Sequence, residues 1–261
     1  MQKGGKMTNK NFKLINAFTL AEVLITLGII GVVAAVTMPT LIKNYQKKET
    51  VTKLKRAYAE VQQVIKMSEA EHGEMSGWGV PSSAGDLEKQ QFVDEYIVKY
   101  FKPIKKCVPA TDECFKRILS LNGTSLFSYP YSEKVVALIS QSGMSYISWL
   151  HNAGNGGWIV VDINGPNRGK NTMGKDIFPF IMQFDKMFEV NGDPSNVVSE
   201  KVGVFPLGLS LKRKLSRDEL ISVDSEYVEL NRYKCSKENV GILCGALIIT
   251  DGWEIRDDYP W

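Results

Sequence analysis

Residues 17–42, AFTLAEVLITLGIIGVVAAVTMPTLI, are almost wholly apolar, and one carboxylate, Glu22, lies near their start. A helix over residues 18–42 would be about 37 Å long at roughly 1.5 Å per residue. That length exceeds the hydrocarbon core of a bilayer, which is about 30 Å thick. A carboxylate within this core costs on the order of 2.5–3.5 kcal/mol on insertion scales. The stretch therefore predicts a single membrane-spanning helix whose acidic side chain has a use.

The preceding sixteen residues, MQKGGKMTNKNFKLIN, contain four lysines and no acid. The apolar run after them is too long for a secretory signal peptide, whose core has about 7–15 residues, and no A-x-A site follows. Basic residues also follow the run, so the positive-inside rule leaves its orientation open. Without the four leader lysines the formal charge of +3 becomes −1, which removes the argument for a nucleic-acid partner.

The four cysteines form two short-range pairs in polar, glycine- and proline-containing surroundings. We predict two local disulfides, Cys107–Cys114 and Cys235–Cys244, in an oxidising compartment. Free structural thiols and a four-thiolate metal site are the alternatives, although neither pair has C-x-x-C spacing. Two disulfides favour a large domain outside the cytoplasm.

The basic leader, the A-F-T-L-x-E opening of the apolar helix and Pro39 within it resemble a type IV prepilin or a type II secretion pseudopilin over about residues 10–42. The resemblance implies cleavage by prepilin peptidase between Ala17 and Phe18, and N-methylation of the new amine of Phe18. Glu22 and Pro39 then match positions where the family commonly has glutamate and proline. Ala17 departs from the family, which usually has glycine before the cut.

The resemblance also implies that the apolar helix joins a bundle of sister helices. The Glu22 carboxylate would pair there with the ammonium group of Phe18 on a neighbouring subunit and set the axial register. The alternative is a signal anchor with an acid placed near the headgroups. Pro39 should kink or open the helix. Close approach of helix backbones is favoured by the small residues Gly28, Gly31, Ala34 and Ala35.

Beyond the apolar stretch, an apolar stripe with helical spacing predicts that the helix continues to about residue 72. The stripe consists of Val51, Leu54, Tyr58, Val61 and Ile65. A second helix is predicted over residues 87–100, and antiparallel strands over residues 134–140, 145–150 and 158–163. Two further strands are expected within 189–232 and a last one in CGALIITDGW, residues 244–253. An aromatic tail with Trp253, Tyr259 and Trp261 should cover the core.

These elements predict an α+β fold, with a long N-terminal membrane-spanning helix packed on a C-terminal antiparallel β-sheet domain. This agrees with the pilin-like fold that the resemblance implies. The chain would divide into a cleaved leader (1–17), an assembly helix (18–42), its amphipathic continuation (43–72) and an extracytoplasmic globular domain (73–261).

One loop concentrates oxygen-bearing side chains that can bind calcium, which takes about six to eight oxygen ligands. They are Asp162, Asn164, Asn167, Asn171 and Asp176. The EF-hand spacing is absent, and a turn held by Asn and Asp side chains is the alternative. The same loop matches a P-loop through Lys175, but a carboxylate follows where Ser or Thr should be, which argues against a nucleotide site. His72 and His151 belong to no catalytic motif.

The resemblance implies a structural filament subunit rather than an enzyme, with no required cofactor apart from the calcium alternative. The resemblance implies that its partners are other pilin or pseudopilin subunits, prepilin peptidase and an assembly platform in a bacterial inner membrane. The basic run at residues 43–56 is either a solvated face or a contact with lipid headgroups or sister subunits. The alternative function is a membrane-tethered binding protein, for glycans or DNA uptake, that does not polymerise.

Overall fold

The computed structural model describes residues 19–126, 135–185, 201–211, 213–225 and 228–261. Ala17 and Phe18, the predicted cleavage site, lie outside these ranges. The chain divides into two compact units, Met1–Gln46 and Lys47–Trp261. The second unit contains the sheet and its core.

The first helix, α1, extends over Leu20–His72 and continues through Pro39 without interruption. Its end at His72 is the predicted one, and Gly73, with φ of +84°, follows it. A left-handed glycine is a common helix terminator because it has no Cβ to clash. The predicted stripe is confirmed, since Leu54, Val61 and Ile65 are at most 4% exposed.

A six-stranded antiparallel sheet has the order β1-β4-β5-β6-β7-β8. The predicted meander is confirmed as its three consecutive strands β4 to β6. The strands of this sheet are β1 (Lys105–Cys107), β4 (Val136–Ile139), β5 (Ser145–Leu150), β6 (Gly156–Asp162), β7 (Ile177–Gln183) and β8 (Gly203–Pro206). Two further strands, β2 (Ile118–Leu119) and β3 (Ser125–Leu126), form a separate small hairpin. An α+β arrangement is therefore present.

The interior strand β7, IFPFIMQ, which lies next to the edge strand β8, is missing from the sequence-based prediction. All seven of its residues are buried, so it lacks the alternation that marks a half-exposed strand. It also contains Pro179, which pairs with Val160 of β6. A proline cannot donate a ladder hydrogen bond, so its presence argues against a central strand.

The second unit's part of α1 packs on the sheet through side chains of its inner face. The ring of Tyr58 lies 5.5 Å from that of Phe180 on β7. Gln62 donates a hydrogen bond of 2.8 Å to the carbonyl of Val204 on the edge strand β8. This contact satisfies a backbone group that an open sheet edge would leave unpaired.

The predicted helix over residues 87–100 is present as α2 (Asp86–Val93), a π-helical turn (Asp94–Val98) and α3 (Lys99–Phe101). Tyr96 in the π-helical turn stacks on His72 at the end of α1, with ring centroids 4.1 Å apart. This segment therefore covers the far end of α1.

The prediction of a C-terminal strand is wrong, because Cys244–Thr250 forms a helix, α5. Five successive residues of it are buried, and a short apolar run does not distinguish a buried helix from a buried strand. Trp253, Tyr259 and Trp261 pack on the core, as predicted. Within residues 189–232 the described elements are β8, α4 (Arg217–Ile221) and a 3-10 turn (Val228–Tyr233).

Candidate functional site

The first half of α1 carries a continuous apolar surface that the described part of the chain leaves exposed. Thirteen large apolar side chains between residues 20 and 42 are 40–79% exposed. They are Leu20, Val23, Leu24, Ile25, Leu27, Ile29, Ile30, Val32, Val33, Val36, Met38, Leu41 and Ile42. Among the described residues, α1 is the one helix that is long and apolar enough to span a membrane, with a mean hydropathy of 2.3 in its most apolar window. Such a surface requires a lipid or protein environment.

Glu22 makes its hydrogen bonds at the start of α1, with Thr19. Its Oε2 accepts from the backbone N–H of Thr19 at 2.9 Å and from the Thr19 hydroxyl at 2.8 Å. The Glu22 N–H in turn donates to the Thr19 hydroxyl at 3.2 Å. This reciprocal pattern is a capping box, which satisfies helix donors that have no partner within the helix.

The T-x-x-E spacing that marks a capping box is visible in the sequence, and Thr19 is the functional residue that the sequence analysis missed. The carboxylate therefore has one role within the chain besides the predicted pairing with Phe18 of a neighbour. That pairing stays a prediction, since Phe18 lies outside the described residues.

The small residues of α1 leave room for another helix. A Cβ built on Gly28 or Gly31 would meet no atom within 4 Å. The hydroxyls of Thr26 and Thr37 each donate a hydrogen bond of 2.9 Å to a backbone carbonyl of their own helix. The surface is therefore free of unsatisfied hydroxyls at these positions and suits close helix packing.

The polar loop brings Asp162, Asn164 and Asp176 together. Asp162 Oδ1 accepts backbone hydrogen bonds from Asn164 at 2.9 Å and from Gly165 at 3.1 Å. Burial raises the pKa of Asp162 to about 7, and the neighbouring Asp176 charge adds to this shift. Burial also raises the pKa of Asp176. Asn167 is exposed.

The arrangement of these side chains does not fit calcium as it stands. Lys53 of α1 donates a hydrogen bond of 2.8 Å to Asn164 Oδ1, so an ammonium group already holds that oxygen. Asp176 Oδ1 accepts from the Thr172 N–H at 2.5 Å. Within the described residues there is no group of three or more His, Cys, Asp or Glu side chains placed to hold a metal. The contacts are those of a turn held by Asn and Asp side chains, and calcium is the alternative that stays to be tested.

Two buried oxygens near this loop have no hydrogen-bond partner among the described residues. They are Asp162 Oδ2 and Ser145 Oγ. Ser145 on β5 lies directly opposite Asp162 on β6, and both residues are 0% exposed. A neutral, protonated Asp162 suits this environment, because a buried charge without a partner is costly.

The P-loop resemblance has no structural counterpart. Gly174 and Lys175 are followed after one residue by strand β7, whereas a P-loop needs the N-terminus of a helix to receive phosphate. The two histidines lie in aromatic contacts: His72 stacks on Tyr96, and His151 lies edge-on to Trp158 at 6.0 Å.

The four cysteines form the predicted disulfides, Cys107–Cys114 and Cys235–Cys244. Cys114, Cys235 and Cys244 are fully buried. Disulfides of this kind persist in oxidising compartments.

A protein-family profile described as "Family of unknown function (DUF6613)" matches residues 40–261. The chain belongs to this family. The matched part of this DUF6613 protein begins after Pro39 and includes the whole Lys47–Trp261 unit. No curated protein and no solved structure matches the chain.

Proposed function

We propose that this DUF6613 protein is a structural subunit of a type IV pilus-like or type II secretion filament, assembled through the first half of α1. The exposed apolar surface of residues 20–42 carries the proposal. A soluble protein does not maintain such a surface, whereas a bilayer and a bundle of sister helices both cover it. The resemblance of residues 10–42 to prepilins favours a helix that occupies both environments in turn.

The Thr19–Glu22 capping box supports a passage between these two environments. In the membrane, the carboxylate is held by its own helix N-terminus, where a negative charge is stabilised. In a bundle, the amine of Phe18 on a neighbouring subunit offers Glu22 an opposite charge. Since a buried charge without a partner costs several kcal/mol, only the register that pairs the two groups is favourable.

The resemblance supplies the remaining partners of the proposal. Prepilin peptidase would cut between Ala17 and Phe18 and methylate Phe18, and an inner-membrane assembly platform would extract the subunit. The globular unit would lie outside the cytoplasm, where its two disulfides persist. The protein would act as a filament component and not as an enzyme.

Co-purification tests this proposal. Full-length protein with an affinity tag is extracted in mild detergent from cells that also produce a second, differently tagged copy. Recovery of the second copy should fall at least tenfold for Glu22→Ala. Glu254→Ala, which removes an exposed carboxylate in the C-terminal tail, is the matched control and should leave recovery unchanged. Equal recovery for Glu22→Ala and the wild type would favour the tethered binding protein.

The intact mass of the membrane-extracted protein tests the processing step. A chain that begins at methylated Phe18, and that gains four hydrogens on reduction of its four cysteines, is expected. A chain that still begins at Met1 or Met7 would contradict processing at Ala17.

A further inference from the structure

The part of α1 within the Lys47–Trp261 unit begins with a group of unpaired cations. Lys48, Lys55 and Arg56 are exposed and have no carboxylate partner among the described residues, and Lys55 Nζ lies over the ring of Trp253 at 5.5 Å from its centroid. Lys47 and Lys53 in the same stretch differ, because Lys47 bonds to Asp257 at 3.2 Å and Lys53 to Glu49 at 2.9 Å. We call Lys48, Lys55 and Arg56 the basic collar.

A second group, of opposite sign, lies after the other end of α1. Four exposed carboxylates there have no cationic partner in the described part of the chain. They are Glu74, Asp86, Glu88 and Glu95, and we call them the acidic cap. The neighbouring acids differ from them, since Glu69 pairs with Lys66 and Glu71 with Lys99.

The collar and the cap are far apart within one molecule. The helix rise of about 1.5 Å per residue separates Arg56 from His72 by about 24 Å and Lys48 from His72 by about 36 Å. The stacking of Tyr96 on His72 places the π-helical turn, which contains Glu95, at that distant end. Screening lengths are about 8–10 Å at physiological salt, so the two groups do not neutralise each other within one chain.

Opposite charges on opposite ends of a surface favour head-to-tail association. We propose that the basic collar of one copy binds the acidic cap of a second copy of this chain. Such a contact joins two different surfaces. It therefore builds an open filament of copies, unless the rotation between successive copies closes a ring. This inference rests on the proposed filament function and deepens it, because it names the surface by which the globular units would meet.

The surface between the two groups fits a close contact. The exposed residues of α1 between the collar and its end include Ala59, Gln63 and Ala70, which are small or uncharged. Lys66 is also exposed, and its charge is paired with Glu69 at 2.9 Å.

Charge reversal and rescue test the proposal with the full-length chain in detergent. Self-association is measured by co-purification of two differently tagged copies. Two variants and their mixture are compared. The variants are K48E/K55E/R56E in the collar and E74K/E88K/E95K in the cap, and in the mixture one copy carries each set. The control is K116E/K170E/K237E, which makes the same charge change at exposed lysines outside both groups.

Either variant alone should lower self-association at least tenfold, because like charges then meet. The mixture should recover to within about threefold of the wild type, and the control should match the wild type. Self-association of the wild type should weaken as salt is raised from about 0.05 to 0.5 M.

Three results would overturn the inference, and they are distinguishable. A wild type that associates but is unaffected by either reversal leaves the proposed filament function intact and removes this interface. A collar variant that is not rescued by the cap variant shows that the collar binds another surface, such as anionic lipid. A wild type that does not self-associate at all removes the proposed function together with this interface.

Discussion

The hydroxyl of Tyr146 on β5 donates a hydrogen bond of 3.0 Å to Glu60 Oε2 on α1. Ser142 donates to the same oxygen at 3.1 Å. Burial raises the pKa of Tyr146 well above its ordinary value, so the phenol stays protonated and remains a donor. The helix and the sheet are therefore joined by a charged acceptor with two hydroxyl donors.

Tyr146→Phe should lower the free energy of unfolding of the full-length protein by about 1.5–3 kcal/mol, the usual range for a hydrogen bond to a charged group. Urea denaturation in detergent, followed by tryptophan fluorescence, measures the change. Tyr45→Phe is the control, because Tyr45 lies on the same helix and is 69% exposed. Equal stability of the two variants would contradict a stabilising role for the Tyr146–Glu60 bond.

Gly174→Ala should be severely destabilising. Gly174 has φ of +75°, and a Cβ there would lie 2.6 Å from Cys244 Sγ and 2.9 Å from Cys244 Cβ. Gly252→Ala is the matched control, because Gly252 has φ of +76° but no atom within 4 Å of the added Cβ. The control isolates the backbone cost of about 1–2 kcal/mol. Urea denaturation should show a clearly larger loss for Gly174→Ala, and similar losses would show that the disulfide moves to accept the methyl group.

The contribution of Asp162 to the stability of the protein should fall as the pH rises from about 4 to about 7. Burial raises the pKa of Asp162 from 3.8 to about 7, so the unfolded chain loses this proton first. The stabilising contribution is present below the unfolded pKa and is lost as the pH rises through the folded pKa. Three pKa units correspond to an upper limit of about 4 kcal/mol.

Asp162→Asn should flatten this pH dependence and stabilise the protein at pH 8. The asparagine keeps an oxygen for the backbone hydrogen bonds of Asn164 and Gly165, and it carries no charge. Thermal unfolding of wild type and variant at pH 5 and pH 8 measures the effect. Asp86→Asn, at an exposed carboxyl, should keep the wild-type pH profile. An unchanged profile for Asp162→Asn would show that Asp162 ionises normally.

Calcium should leave the unfolding temperature of the protein unchanged. The reason is that Lys53 holds Asn164 Oδ1 and backbone N–H groups hold Asp162 Oδ1 and Asp176 Oδ1. Thermal unfolding in millimolar calcium chloride is compared with unfolding in excess chelator at pH 7.5. A rise of several degrees that Asp176→Asn abolishes would instead support the calcium alternative.

Local sequence patterns were sufficient for the elements whose residues alternate or repeat clearly. The stripe from Val51 to Ile65 predicted how far α1 continues, and the runs around β5 and β6 predicted the meander. Cysteine spacing predicted both disulfides. The fully buried segments were missed or misassigned: β7 has no alternation, and α5 is too short for its period to be read.

The sequence by itself determined the apolar helix, its carboxylate near the start, the cysteine pairs and the α+β class, because each depends on residue type and short-range spacing. Only the tertiary structure decided which charges are paired. Lys47 and Lys53 find carboxylate partners far along the chain or on their own helix. Lys48, Lys55 and Arg56 are exposed and have no carboxylate partner among the described residues, and Lys55 lies over the ring of Trp253. Likewise, the buried setting of Asp162 depends on the strands around it. Pairing and burial are properties of distances in space, and those distances are set only when the helix packs on the sheet.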